Sequence, residues 1–197
     1  MTQTVEYAET GFLIDSARNS HTLHQRIHDL LFEGKNSPDG RTFLYSVVEA
    51  PELDGKCLVN VRTYGQVSPN IPLEAKESAF SKGQALELNV DISLQRSTAR
   101  GKDGKKVPQA SMHVRPYEME DWMREKMRAI GFDADRITWG PVRRRQVSKP
   151  SAKFFIPCAV FRVTGTVNDP ERFAQAWLYG VGRNKGYGLG LLEEVAA

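Results

Sequence analysis

Apolar and polar positions along the chain switch between two periods, and the switches outline the fold. Residues 5–14 read as a strand. In 21–32 the apolar positions Leu23, Ile27, Leu30 and Leu31 recur at helical spacing. Two β-like runs follow at 42–48 and 57–63, then a helical spacing over 73–80 and an alternating strand at 85–94. That order, βαββαβ, is the ferredoxin-like unit. A second unit has an entry strand near 90–95 and a helix over 118–130. Glu118, Glu120 and Asp121 open that helix while Lys126 and Arg128 close it, as the helix dipole prefers. Gly131 ends it. Strands at 136–147 and 153–167 form a hairpin across Pro150-Ser-Ala. A helix at 169–179 takes Asn168 or Asp169 as its cap and Pro170 in its first turn. Residues 189–195 close a second sheet. The pattern therefore predicts an α+β protein of two tandem ferredoxin-like domains, 1–91 and 92–197. Segment 96–117 is polar and is either the start of the second unit or an ordered insertion.

Length and composition add little to this picture, but charge adds something. A chain of 197 residues fits one large or two small domains. It has no signal-peptide pattern and no apolar run near the ~20 residues of a membrane span, which predicts a cytoplasmic protein without membrane partners. Cys57 and Cys158 sit in apolar strand contexts and are expected as reduced core residues. Trp122, Trp139 and Trp177 are also expected in the core. The net charge of +3 hides an asymmetry: residues 1–90 carry 8 basic and 12 acidic side chains, residues 91–197 carry 19 and 12. From Arg136 to Asn168 there are seven basic residues and no acid. The C-terminal half is thus suited to a polyanion.

Three constellations carry candidate chemistry. The first is Gly180-Val-Gly-Arg-Asn-Lys-Gly-Tyr-Gly-Leu-Gly190, in which Gly180, Gly182, Gly186, Gly188 and Gly190 shape a loop and Arg183 and Lys185 charge it. Such a loop offers backbone N–H groups and cations to phosphate. Walker A spacing is absent, and a dinucleotide fingerprint would have to precede a helix and an acidic residue about 20 positions on. A mononucleotide is therefore not the expected ligand.

The second is a histidine cluster. His21, His24 and His28 fall at i, i+3 and i+7 of one helix and share a face. Three readings are open: polar surface, metal ligation, or acid–base chemistry. Gln25 stands where HExxH would need a glutamate, and no nearby carboxylate or thiol set completes a metal shell. An ordinary imidazole titrates near pH 6.5, which suits proton transfer at neutral pH. His28 is expected as a partly exposed structural residue. The third constellation is basic: Arg96-Ser-Thr-Ala-Arg-Gly-Lys-Asp-Gly-Lys-Lys106, and Arg143-Arg-Arg-Gln-Val-Ser-Lys149. Either is a solvated face or a polyanion site. For Arg143, Arg144 and Arg145 the absence of a nearby acid in the sequence favours a polyanion, because the three charges otherwise repel. A basic hairpin beside a glycine-rich loop fits an RNA stem-loop read by backbone and shape.

Ser20-His-Thr-Leu-His-Gln-Arg-Ile-His-Asp-Leu-Leu-Phe32, then Arg41-Thr-Phe-Leu-Tyr45, then the glycine loop running into Leu191-Leu192, together resemble the CasE branch of the CRISPR repeat-processing endoribonucleases. Members of that branch carry a Leu-His helix after the first strand, an Arg-led second strand and a C-terminal glycine loop ending in Gly-Leu-Leu. The resemblance covers essentially the whole chain. It implies two ferredoxin-like domains and a metal-independent, cofactor-free cleavage of repeat RNA by 2′-OH attack. The partners it implies are the repeat stem-loop and the other subunits of an effector complex.

Position by position, the resemblance implies that His24 is the catalytic histidine. His21 stands where the family commonly has Tyr, so it is either a second acid–base group or a phosphate ligand. Arg18 and Arg26 are expected to clamp phosphate. Arg143, Arg144, Arg145, Lys149 and Lys153 face the stem, and Arg183, Asn184 and Lys185 lie near the RNA backbone. Two other functions stay open on the sequence: a non-cleaving RNA-binding subunit, and a metal-dependent nuclease.

Overall fold

The computed structural model of the chain describes residues 2–35, 42–96 and 113–195. Arg41 and most of the cationic segment starting at Arg96 lie outside them. Strand β1 (Thr2–Asp15) is the spine of the first sheet. Its second half pairs with β3 (Lys56–Thr63) and its first half with β4 (Glu74–Ser81), while β2 (Phe43–Val48) pairs with β3 on the outside. The resulting order β2-β3-β1-β4 is that of a ferredoxin-like sheet.

Helix α1 (Ser20–Phe32) covers one face of this sheet. Leu23, Ile27, Leu31 and Phe32 are buried against Phe43, Tyr45, Cys57, Val59 and Val61. Leu30, expected in the buried stripe, is 39% exposed. A helix turns about 100° per residue, so the arc from Leu23 through Leu31 to Phe32 leaves Leu30 outside it. The same arc contains His21, His24 and His28, which are half-buried for that reason.

Two expectations fail in one place. Residues 73–80 are the strand β4 and not a helix, and the strand at 85–94, β5 (Ala85–Ser93), does not close the first sheet. Alanine, glutamate and lysine in 74–77 favour helix locally, but the open edge of β1 supplies a ladder over eight residue pairs, and tertiary pairing overrides propensity. β5 pairs with β8 (Ala152–Val167) and β9 (Leu192–Glu194), so the chain changes sheets between Ser81 and Ala85, ahead of the expected junction near 91.

The second sheet has the order β6-β8-β5-β9, with β6 at Phe132–Trp139 and β7 (Arg143–Lys149) pairing with the first half of β8. The single strand expected over 136–147 is thus two strands on one edge of β8, separated at 140–142, where Pro141 cannot donate to the ladder. Helix α2 (Met119–Ala129) and helix α3 (Pro170–Tyr179) complete this unit. Asp169 caps α3 by accepting from the Arg172 N–H. Trp122 and Trp177 are buried as expected, whereas Trp139, near the break after β6, is 39% exposed. Cys57 and Cys158 are buried free thiols.

α3 also serves the first unit, covering the face of its sheet opposite α1. It packs against β1, β2 and β4, with Phe173 and Trp177 in one core with Val5, Tyr7 and Phe80. From the first unit, Arg62 reaches under α3. Its guanidinium donates to Glu9 (3.0 and 2.9 Å), to the Trp177 carbonyl (3.0 Å) and to the Leu192 carbonyl (3.0 Å). Residues 1–84 expressed alone should therefore lack a cooperative transition in urea and give collapsed amide NMR dispersion. A folded, cooperative fragment would show that α3 is dispensable to the first sheet.

Candidate functional site

The histidine helix starts at a junction between the two units. Asn19 caps α1 by accepting from the His21 N–H (3.1 Å), and the same Oδ1 accepts from the Ser148 N–H of β7 (2.9 Å). Its Nδ2 donates to the Ser148 carbonyl (2.9 Å) and to Thr22 Oγ1 (3.0 Å). An Asn at this position is legible in the sequence as a helix cap. Its bond to a strand 129 positions away is not.

His24 lies one turn into α1. Its ring stacks on Phe43 (centroids 5.8 Å, planes 13° apart) and on Tyr45 (6.3 Å, 17°), and stands 6.5 Å from the His28 ring. His28 packs on Phe32 at 4.8 Å and is partly exposed, as expected. His21 is half-buried in the first turn. The Tyr45 hydroxyl donates to the Gly186 carbonyl (3.1 Å), which joins the wall behind His24 to the glycine loop. Among the described residues, no three His, Cys, Asp or Glu side chains form a metal-ligand group.

The glycine loop is held from several sides. Gly180, Gly182, Gly188 and Gly190 have positive φ, and Gly186 is buried in a 3-10 turn, Lys185–Tyr187. A Cβ at Gly188 would come within 2.7 Å of the Tyr45 ring, and one at Gly190 would run into the Val181 carbonyl oxygen. The loop's polar residues bond back to the protein, Arg183 at the exposed surface. Arg183 donates to the Arg96 carbonyl (3.0 Å), Asn184 to Ser93 Oγ (3.0 Å) and Gln95 Oε1 (2.8 Å), and Lys185 to the Tyr179 carbonyl (2.6 Å).

The arginine run is not unopposed. Asp91, distant in sequence on β5, accepts from both Arg143 and Arg145 at 2.7 Å, so self-repulsion of three free arginines does not arise. Arg145 also donates to the Tyr187 carbonyl (3.0 Å). Burial works against its charge, but the Asp91 carboxylate outweighs that and raises its pKa. A strand's period of two explains the split. Arg143, Arg145 and Lys149 share the face toward the glycine loop, where the Lys149 ammonium lies 5.5 Å from the Tyr187 ring centroid. Arg144 points the other way, on the face of its cross-strand neighbours, and is exposed, as is Lys153. Arg18, in the β1–α1 loop, is exposed, and Arg26 is turned back to donate to the Asp15 carbonyl (3.0 Å).

The site thus places a half-buried imidazole one layer from a glycine loop, beside a hairpin carrying free cations on one face. No curated protein sequence matches the chain. Solved structures of similar fold include the CRISPR endoribonuclease Cse3 bound to 19-nucleotide RNA, with TM-score 0.71 and 18% identity over 98% of this chain and 100% of that one. The CRISPR-associated protein Cas6e from Escherichia coli K-12 is similar at TM-score 0.66 and 18% identity, over 98% and 100%. A chain of a CRISPR RNA-guided surveillance complex is similar at 0.68 and 17%, over 96% and 100%. The sequence model of one family, described as CRISPR associated protein, matches residues 8–193. The chain belongs to the CRISPR associated protein family and has the tandem ferredoxin-like fold shared with Cse3 and Cas6e.

Proposed function

We propose that this protein is a CasE-branch endoribonuclease that cuts CRISPR precursor RNA at the base of the repeat stem-loop, in the cytoplasm and without a metal. The observation that carries the reading is His24, an imidazole on the helix pinned by Asn19 to the basic hairpin and backed by the glycine loop. The 2′-OH attacks the adjacent phosphate, the P–O5′ bond breaks, and the products end in a 2′,3′-cyclic phosphate and a 5′-OH. His24 moves a proton at the 2′-OH or the leaving oxygen, and His21 is the second group in reach of the same backbone. In-line placement and cations opposite the developing charge supply the rest of the acceleration. Arg144 and Lys153 are the hairpin cations free to meet stem phosphates, while Arg143, Arg145, Arg183, Asn184 and Lys185 hold the loop. The product hairpin stays bound as part of a surveillance complex, a role supported by the similarity to a subunit of such a complex.

The test is cleavage of the repeat hairpin in EDTA beside a substrate with one 2′-deoxy at the scissile nucleotide. Native RNA should be cut and the deoxy analogue should not. Cutting that requires added divalent ion would overturn the metal-free step. A second reading, a binding-only subunit, draws on the stacking of His24 against Phe43 and Tyr45, which also suits a packing role. Tight binding with no cutting of either RNA would select it.

A further inference from the structure

A cleft of about 730 Å³ lies beside the start of the histidine helix, and the cleavage chemistry above does not use it. Both units build it. The β1–α1 loop contributes Arg18, the β2–β3 connection Glu49, β3 Lys56, β7 Arg144 and β8 Phe155. Arg143 and Arg145 also line it, but Asp91 holds their charge. Among the described residues, Arg18, Lys56 and Arg144 form no ion pair, so three free cations face Glu49 as the single acid of the lining.

The strand register explains how the cleft acquires an aromatic wall. Arg144 pairs with Pro157, Gln146 with Phe155 and Ser148 with Lys153, so Arg144, Phe155 and Lys153 share one hairpin face. Phe154, its neighbour, packs toward Tyr187 on the other face. Phe155 has no such cover and is 52% exposed. A ring left in water among unpaired cations lowers no energy in the free protein. It becomes useful when a planar, anion-bearing ligand stacks on it.

Resting on the RNA-processing reading, we infer that this cleft binds the single-stranded RNA flanking the repeat stem, with one base stacked on Phe155 and the adjoining phosphates on Arg18 and Lys56, while Arg144 at its rim stays with the stem. Cations along a groove with an aromatic platform are the general means of holding single strands, since every base has a π-face and the backbone carries the charge. Inside a duplex stem the bases are already stacked on one another, so a splayed flanking base is the better partner for Phe155.

The experiment measures affinity with cleavage blocked by a 2′-deoxy scissile nucleotide. It compares a repeat hairpin carrying its native flanks, the same hairpin trimmed to the stem, and the flank alone. Native protein should bind the flanked hairpin about tenfold or more tighter than the trimmed one, on the scale of one stacked base. Phe155→Ala should erase that difference without changing affinity for the trimmed hairpin, and Phe155→Trp should keep it. Arg18→Gln with Lys56→Gln should make the salt dependence of the flanked RNA shallower, by about 0.7 in slope for each phosphate that is no longer neutralised. Equal affinity for flanked and trimmed hairpins, or equal weakening of both by Phe155→Ala, would overturn the inference. If native protein ignores the hairpin yet holds the flank through Phe155, the cleft stands and the repeat-processing reading falls. Binding to none of the three overturns both.

Discussion

His24→Ala is expected to slow single-turnover cleavage by about three orders of magnitude, within the 10²–10⁴ range of a positioned proton-transfer group, while hairpin affinity stays unchanged. The expectation follows from where the side chain sits. Its ring stacks on Phe43 and Tyr45, and Tyr45 in turn holds the Gly186 carbonyl, so the imidazole is oriented by packing before any substrate arrives. Removing it deletes a proton donor and acceptor but no cation that meets phosphate. Because the ring is half-buried, the variant also leaves a gap against β2, and His24→Phe separates the two effects. Phenylalanine refills the stack and restores thermal stability, but it cannot move a proton and should leave cleavage at the alanine level. Cleavage by His24→Phe near the native rate would remove His24 from the chemistry and leave it a packing residue.

The largest effect on stability is expected at Arg62. The residue is 3% exposed, and its guanidinium carbon lies 4.1 Å from the Trp177 ring centroid and 4.8 Å from that of Tyr7. Arg62→Met keeps the stem but strands two backbone carbonyls, those of Trp177 and Leu192, and leaves Glu9 without its cation. Losing one partner of a buried, hydrogen-bonded charge network costs about 3–5 kcal/mol. Glu9 is a third exposed and can recover water, so about 3 kcal/mol is the expected loss. For a chain of this size that is roughly 6–12 °C in Tm. Arg62→Lys should recover little, since an ammonium cannot serve the carboxylate and both carbonyls in one plane. A loss below about 0.5 kcal/mol in urea unfolding would mean that the units are joined elsewhere.

The sequence shows its regular elements where local pattern and tertiary need agree. α1, α2 and α3 follow helical spacing, α3 with the cap that Asp169 announces, and β8 is a long β-branched and aromatic run. β4 is illegible because Glu74, Ala75, Lys76 and Glu77 favour helix, and only the unfilled edge of β1 makes them a strand. What covers the other face of the first sheet is hidden for a similar reason. That cover is α3, about a hundred positions later, and no local period reports it. At the site, the Leu-His motif and the glycines are visible as residues, and so is the hairpin's charge. What the arginines do is not, because the partner that divides them, Asp91, is 52 and 54 positions away. Asn19 is readable as a cap but not as a joint.

That joint has a consequence for accuracy. One carboxamide bonds at once to the first turn of the histidine helix and to the strand that carries Arg144. On the proposed function, the part that grips the stem and the part that breaks the chain would form a single jig, with no hinge between clamp and blade. Such a device would choose the bond to be cut by its distance from the clamped stem and not by the identity of the bases beside it. Specificity would then be a length measured by the protein, with the repeat's own shape as the scale on which it is read.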